Sequence, residues 1–314
     1  MGLLSSRRGL TGSRLVVLLG ALSMFGPLTM DMYLPALPAL TRDLSASTSA
    51  GQLTLTACMA GLAAGQLVFG PVSDAIGRRR PLVACLVVFV LASLGAVFAS
   101  SIWVLLVLRL LQGLGGSAGI VIARAVVRDR FPAAEAAQRY ALLTLVSSTA
   151  PIVAPVLGGL VLQFGEWRAI FVALAISGLL VLIGASAGIA ESLPPERRLG
   201  GGLAETGRVM HALVRDRAFR GYVLAGSLAF AAMAAYIAGS PFVLQDVYGL
   251  SPLAFACVFA GNAVGIVALG RVNSGSSGAS APPRCCSAAS IWARRAASRC
   301  SSRCSRARAS SRCS

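Results

Sequence analysis

Long apolar stretches, separated by short runs of charge, glycine or proline, fill most of the chain. They fall at about residues 14–38, 48–71, 81–99, 102–123, 138–163, 168–190, 219–244 and 251–270. A helix needs about 20 apolar residues to cross the hydrocarbon core of a bilayer, where its backbone polar groups must bond within the helix. The pattern therefore predicts eight membrane-spanning α-helices. Their Gly, Ala and Ser content suits helices that pack closely in lipid. The first stretch begins like a signal peptide, basic and then apolar, but it runs past a cleavage-sized core and further spans follow. It is read as a retained first helix.

Composition agrees with this reading. Of 314 residues 56% are hydrophobic and 12% charged, against roughly 25% charged in a soluble domain. The formal charge of +17 divides in two: residues 273–314 hold eight Arg and no acid, and the remaining +9 is spread over loops. Every basic residue is Arg, a habit of GC-rich coding. Of the eight cysteines, Cys58, Cys85 and Cys257 stand singly in apolar segments, where a thiol acts as a small hydrophobe. The other five lie after residue 284 without a histidine beside them, so no metal site is expected.

Arginine placement orients the spans, because cytoplasmic loops carry the basic excess. With the N-terminus inside, sixteen loop arginines fall on the cytoplasmic side and only Arg42 and Arg168 on the other. Residues 1–190 then form a six-helix bundle, 191–218 a cytoplasmic linker loop, and 219–270 the first two helices of a second bundle. His211 is read as a solvated loop residue. Residues 271–314 contain no apolar span and read as a disordered Arg/Ser/Cys-rich tail. A basic tail for anionic lipid or RNA is one reading; out-of-frame translation of GC-rich DNA fits the composition better, so no nucleic-acid partner is expected.

Charge and glycine converge after the second span, in Gly70-Pro71-Val72-Ser73-Asp74-Ala75-Ile76-Gly77-Arg78-Arg79-Arg80. Glycine permits a tight turn, Asp74 can cap a helix or pair with an arginine, and the arginines hold the loop at the membrane face. The spacing resembles the loop signature of the major facilitator superfamily. That resemblance implies a cytoplasmic gate loop, here Gly70, Asp74, Gly77, Arg78 and Arg79, whose acid engages the other half of the transporter when it faces outward. Arg109-Leu-Leu-Gln112-Gly113-Leu-Gly115-Gly116 in the fourth span resembles a second motif of the same family. Ala150-Pro151-Ile-Val-Ala154-Pro155-Val-Leu-Gly158-Gly159 in the fifth resembles its drug–proton antiporter pattern, with Ala150 and Ala154 in place of two glycines. Physically, Pro151 and Pro155 remove helix donors and bend the span, while Gly158 and Gly159 allow close packing. Asp31-Met-Tyr33-Leu-Pro35-Ala-Leu-Pro38 in the first span is similar to the bicyclomycin-resistance (Bcr/CflA) branch of multidrug efflux transporters.

Asp31 and Arg109 are the ionisable residues deepest in the spans, and such residues are functional candidates by default. At 1.5 Å per residue Asp31 lies roughly 25 Å from the cytoplasmic end and Arg109 roughly 20 Å from it. They can meet in the outer half of the bundle, with Asp31 carrying a proton or contacting cationic substrate, Arg109 tuning it, and Gln112 beside them. A structural ion pair, or an acid merely near the outer mouth, is the plainer alternative. No nucleophile–base pair, metal spacing or phosphate-binding loop points to an enzyme.

The expectation is an all-α membrane protein of the major facilitator fold, with a six-helix N-terminal bundle and about eight of the family's usual twelve spans, truncated or frameshifted after about residue 271. The resemblance implies proton-coupled export of drugs or small amphipathic compounds by alternating access. The proton gradient would be the energy source and no cofactor is needed. Its partners are a small-molecule substrate, protons and the bilayer; a monomer in the bacterial inner membrane is expected. An inactive fragment and a metabolite symporter of the same fold are the alternatives.

Overall fold

The apolar stretches fold as helices, four of which keep proline inside: Pro27, Pro71, Pro151, Pro155 and Pro241 lie in uninterrupted helix. A computed structural model describes residues 13–198 and 202–277. Among these, ten α-helices follow one another: α1 Ser13–Asp31, α2 Leu37–Asp43, α3 Thr48–Ile76, α4 Arg79–Val97, α5 Ile102–Arg130, α6 Ala133–Phe164, α7 Trp167–Gly188, α8 Gly202–Arg215, α9 Arg217–Phe242 and α10 Pro252–Ser277. Seven segments are long and apolar enough to cross a membrane, the first being Arg14–Asp43, and Pro252–Ala268 is a shorter apolar helix. The eight apolar stretches thus all appear as helix. The chain divides into two compact units, Met1–Ala263 and Val264–Ser314; the described part of the second is the helical stretch to Ser277.

Four expectations are corrected. The first span is not one helix: α1 ends at Asp31, a 3-10 turn covers Leu34–Ala36, and α2 resumes at Leu37. Pro35 has no N–H for the carbonyl four residues back, which is that of Asp31, and its ring crowds that carbonyl. The loop at 70–80 is mostly helix. α3 runs through Gly70 and Asp74 to Ile76, leaving a turn at Gly77 (φ +102°) and Arg78 before α4. Hydropathy marks the length of helix inside lipid, whereas the hydrogen-bond ladder continues into the headgroup region until a residue such as Gly77 breaks it. The linker 191–218 holds the 14-residue helix α8. Finally, α10 passes Gly270 and reaches Ser277, since no proline lies between Pro252 at its start and Pro282 to stop propagation. The expected disorder and frameshift of the tail, with its five cysteines, otherwise lie outside the described residues, as do Arg7 and Arg8.

Within the first unit α5 is central, packing against α3, α4 and α1. Small residues allow this. Gly113 of α5 lies against the Cys58 carbonyl of α3, and Gly61 of α3 against the Leu110 carbonyl of α5, so a side chain at either position would overlap backbone. Gly115 meets α4 at Cys85 and Phe89 in the same way, and Gly119 meets the Leu22 carbonyl of α1. α1 also packs on α6, and α4 on α7. Large apolar side chains such as Leu91, Phe98, Trp103 and Leu180 stay exposed on the outside, as lipid-facing residues do. Side-chain caps start several helices: Ser47 Oγ accepts from Ala50 N (3.2 Å), Ser101 Oγ from Trp103 N (3.3 Å) and Asp216 Oδ1 from Ala218 N (2.8 Å).

Candidate functional site

The break after α1 leaves Asp31 at a helix end in mid-span, 17 residues after Arg14 and 12 before Asp43 in the segment Arg14–Asp43. Its side chain is buried, and among the described residues no arginine or histidine lies within ion-pair distance of it. Arg109 sits at the same level. Its Nη1 donates to the Thr29 carbonyl (3.2 Å) and to Gln112 Oε1 (2.6 Å), and its guanidinium carbon stands 4.4 Å from the centre of the Tyr33 ring. Thr29 and Tyr33 flank Asp31 in the chain, so acid and arginine do share a depth, but they do not pair.

Beyond Arg109 the polar chain continues inward from the helix surface. Gln112 Nε2 donates to Ser93 Oγ (2.7 Å), whose own hydrogen goes to the Phe89 carbonyl (2.7 Å). Tyr33 is held in turn by Thr54: with the Thr54 hydroxyl hydrogen given to the Gly51 carbonyl (2.6 Å), the Tyr33 hydroxyl donates to Thr54 Oγ1 at 3.0 Å. Arg109 is fully buried, yet among the described residues its Nε and Nη2 have no hydrogen-bond partner. These two nitrogens form one edge of the guanidinium, the edge that matches both oxygens of a carboxylate side-on.

The antiporter-like stretch reaches the same place. Gly158 of α6 lies against the Met32 carbonyl so closely that a Cβ would overlap it, and Pro155 and Ala154 are buried beside it. Gly159 faces Leu253 and Ala256 of α10. Pro151 is half-buried earlier in the same helix. The helix break, the fourth-span motif and the fifth-span motif thus converge on Asp31–Tyr33.

The predicted gate-loop residues gather elsewhere, at the arginine-rich end of the bundle. Arg78 is buried with all three nitrogens engaged: Nη2 to Asp74 (2.6 Å), Nε to Asp129 (3.0 Å) and Nη1 to Ser73 Oγ (2.7 Å). Arg128 also reaches Asp74, at 3.4 Å. The Glu191 carboxylate accepts from the backbone N–H of Arg78 (2.8 Å) and of Arg79 (3.2 Å), capping the start of α4. Arg79 Nη2 donates to the Ser186 carbonyl (2.7 Å). Gly77 is required twice over, by its φ of +102° and because a Cβ there would stand 2.6 Å from Glu191 Oε2. Gly70 is a helical residue whose carbonyl accepts from Ser73 Oγ (2.9 Å).

Sequence reasoning missed Ser93, Thr54, Asp129 and Glu191, and it assigned Tyr33 no role. Small hydroxyl residues carry no signal inside an apolar run, while Asp129 and Glu191 look like ordinary loop charges. A spacing of carboxylates opposite the arginine run was the available clue.

Comparison with known proteins bears on both places. The sequence model of the Major Facilitator Superfamily matches residues 18–291. An uncharacterized MFS-type transporter, YdgK, of Bacillus subtilis is 44% identical over 255 residues, covering 81% of this chain and 63% of the relative. A bicyclomycin resistance protein homolog of Haemophilus influenzae is 32% identical over 82% of this chain and 65% of its own length. A chloramphenicol resistance protein of Pseudomonas aeruginosa is 35% identical, covering 82% and 60%. The chain therefore spans 60–65% of the length of these curated relatives. Among solved structures, a bacterial homolog of the human lysosomal transporter Spinster, inward-facing and unoccupied, superposes with a TM-score of 0.65 at 18% identity, over 81% of this chain and 60% of that one. A D-xylose–proton symporter gives 0.59 at 15%, over 83% and 69%. At those identities the likeness is one of fold.

Proposed function

The chain belongs to the major facilitator superfamily, a family of transporters and not of enzymes, and from that premise we propose that it exports small amphipathic compounds, drugs among them, in exchange for protons. The reading places it as a multi-pass monomer in the bacterial inner membrane, N-terminus inside, driven by the proton gradient without a cofactor. One observation carries it: the unpartnered Nε–Nη2 edge of buried Arg109 at the level of the unpaired Asp31. Two states of the pair are then available. In one, Asp31 holds a proton on a carboxyl oxygen and stands apart from Arg109. In the other the proton has left, and the two carboxylate oxygens take the free edge of Arg109. Moving between them calls for a rearrangement of the chain around Asp31, beside the break at Leu34–Ala36.

Alternating access supplies that rearrangement. The outer end of α9 and the π-helical turn Val243–Val247 grip the first bundle through three polar contacts. Arg42 Nη1 meets Asp246 Oδ1 at 2.9 Å, Gln52 Nε2 donates to the Ala238 carbonyl at 3.3 Å, and Gln245 Nε2 to the Pro35 carbonyl at 3.2 Å. The last contact ties the π-helical turn to Pro35, four residues after Asp31. The first half of α9 stays exposed, as Tyr222, Leu224 and Leu228 show. Release of the outer contacts would therefore act close to Asp31, which couples substrate access to the proton.

Export is favoured over symport by the names of the bicyclomycin- and chloramphenicol-resistance relatives and by the convergence of the proline-bearing α6 on Met32. The test is efflux from vesicles energised by a pH gradient, with drug susceptibility of the host read alongside. Asp31→Asn is expected to abolish pH-driven efflux while leaving the protein folded, and Arg109→Lys to reduce it, because an ammonium cannot offer the two-point edge. Full proton-coupled efflux by Asp31→Asn overturns the reading. The same assay separates it from a membrane-embedded piece without transport of its own, for which no variant moves drug, and from a symporter, for which an inward proton gradient drives uptake.

A further inference from the structure

Helix α8 is the largest feature that the transport reading leaves unused. It hangs between two membrane spans: before it, Glu191 is bonded to the α3–α4 turn, and after it a single residue, Asp216, separates it from α9. It packs beside α3 and α9, two of the candidate membrane spans. At 100° per residue, Met210, Leu213 and Val214 fall within about a 100° arc, and Arg208, His211 and Arg215 within about 60° on the opposing side. Among the described residues nothing fully covers the apolar arc: Met210 is 39% exposed, Leu213 40% and Val214 52%. From the start of α8, residues 202–220 hold four arginines (Arg208, Arg215, Arg217, Arg220) against two acids, Glu205 and Asp216, and the Asp216 carboxylate is taken by the amides of Ala218 and Phe219.

We infer that α8 lies flat in the headgroup layer and binds anionic phospholipid, its apolar arc against acyl chains and Arg208 and Arg215 against headgroup phosphates. An amphipathic helix with cations on its polar side gains both apolar burial and attraction to acidic lipid in that position. Arginine suits the site because its fork pairs with phosphate oxygens at two points. The inference needs the spans to cross a bilayer but not transport, so it stands or falls apart from the export reading.

The full chain is reconstituted in vesicles of phosphatidylcholine mixed with phosphatidylglycerol, one of the two carrying bromine on its acyl chains. A tryptophan is introduced as Leu213→Trp or Arg208→Trp, with the signal of the parent chain subtracted. Leu213→Trp should be quenched by brominated lipid and Arg208→Trp much less. Brominated phosphatidylglycerol should quench Leu213→Trp more than brominated phosphatidylcholine at equal mole fraction. That preference should fall about fivefold for each charge removed as Arg208→Gln and Arg215→Gln are added. Absence of quenching at Leu213→Trp, the result for an arc covered by protein, overturns the inference. Equal quenching by the two lipids overturns its anionic half.

Discussion

Two arginines, Arg78 and Arg109, are both almost completely buried, and what surrounds them separates a fully engaged charge from one with donors to spare. Arg78 spends every nitrogen on Asp74, Asp129 and Ser73. Removing it takes from buried Asp129 its nearest cation and leaves the Ser192 hydroxyl (3.2 Å) and the more distant Arg128 Nε (3.8 Å). Arg78→Ala should therefore destabilise the protein by up to about 3 kcal/mol, the low end of the cost of breaking a buried ion pair, because both acids keep a partner. Thermal unfolding in detergent checks this, and Arg78→Lys should recover part of the loss through a single-point contact. Arg109, in contrast, keeps an edge unused. An ionisable residue in an apolar run stands out in a sequence, which is why Asp31 and Arg109 were legible there. Ser93, Thr54 and Tyr33 were not, because hydroxyls and aromatics are common in such runs and acquire a role only from what lies opposite.

At the scale of elements, the informative feature is the break in the first span. Pro35 withholds an N–H from the Asp31 carbonyl, so α1 stops at the residue that carries the candidate chemistry. Pro35→Ala should let the helix run on, lifting up to about 3 kcal/mol of proline penalty. The amide at position 35 should become slow to exchange with deuterium, the unfolding midpoint should rise, and efflux should fall because Asp31 loses its freedom to rotate. Fast exchange at that amide with unchanged efflux would sink the assignment of the hinge. The spans themselves were readable as apolar runs, whereas their ends were not. α3 and α5 continue to Ile76 and Arg130, beyond the apolar runs that end near 71 and 123. The motif stretch Gly70–Arg80 looked like a loop because its residues are polar, yet polarity there reports the membrane surface and not the end of the hydrogen-bond ladder.

For the molecule as a whole, the contacts of the Val243–Val247 turn and the end of α9 with the first bundle are those that the proposed alternating access would have to break. Arg42 and Asp246 are largely solvent-exposed, so their pairing is worth less than about 1 kcal/mol to stability. Its effect should appear in conformational balance instead. Arg42→Asp should shift an inter-spin-label distance between α2 and the Val243–Val247 turn toward longer values, with almost no change in unfolding temperature. Adding Asp246→Arg should restore the distance; a distance indifferent to both changes would remove the ion pair from the outer contacts.

The sequence by itself determined the number and order of the apolar helices, the concentration of arginine at one set of their ends, the family, and the two buried charges. Each of these follows from composition along the chain, since transfer into lipid is a property of the residues in a segment. Only the tertiary structure decided which partners those charges have. It engaged Arg78 with an acid 51 residues away, brought Gly158 onto Met32, and left Asp31 and Arg109 level but unpaired. Such pairings depend on close approach between helices distant in sequence, which small residues permit at many places along a span. The observed register is the one in which Gly113, Gly115 and Gly158 meet backbone on α3, α4 and the first span together.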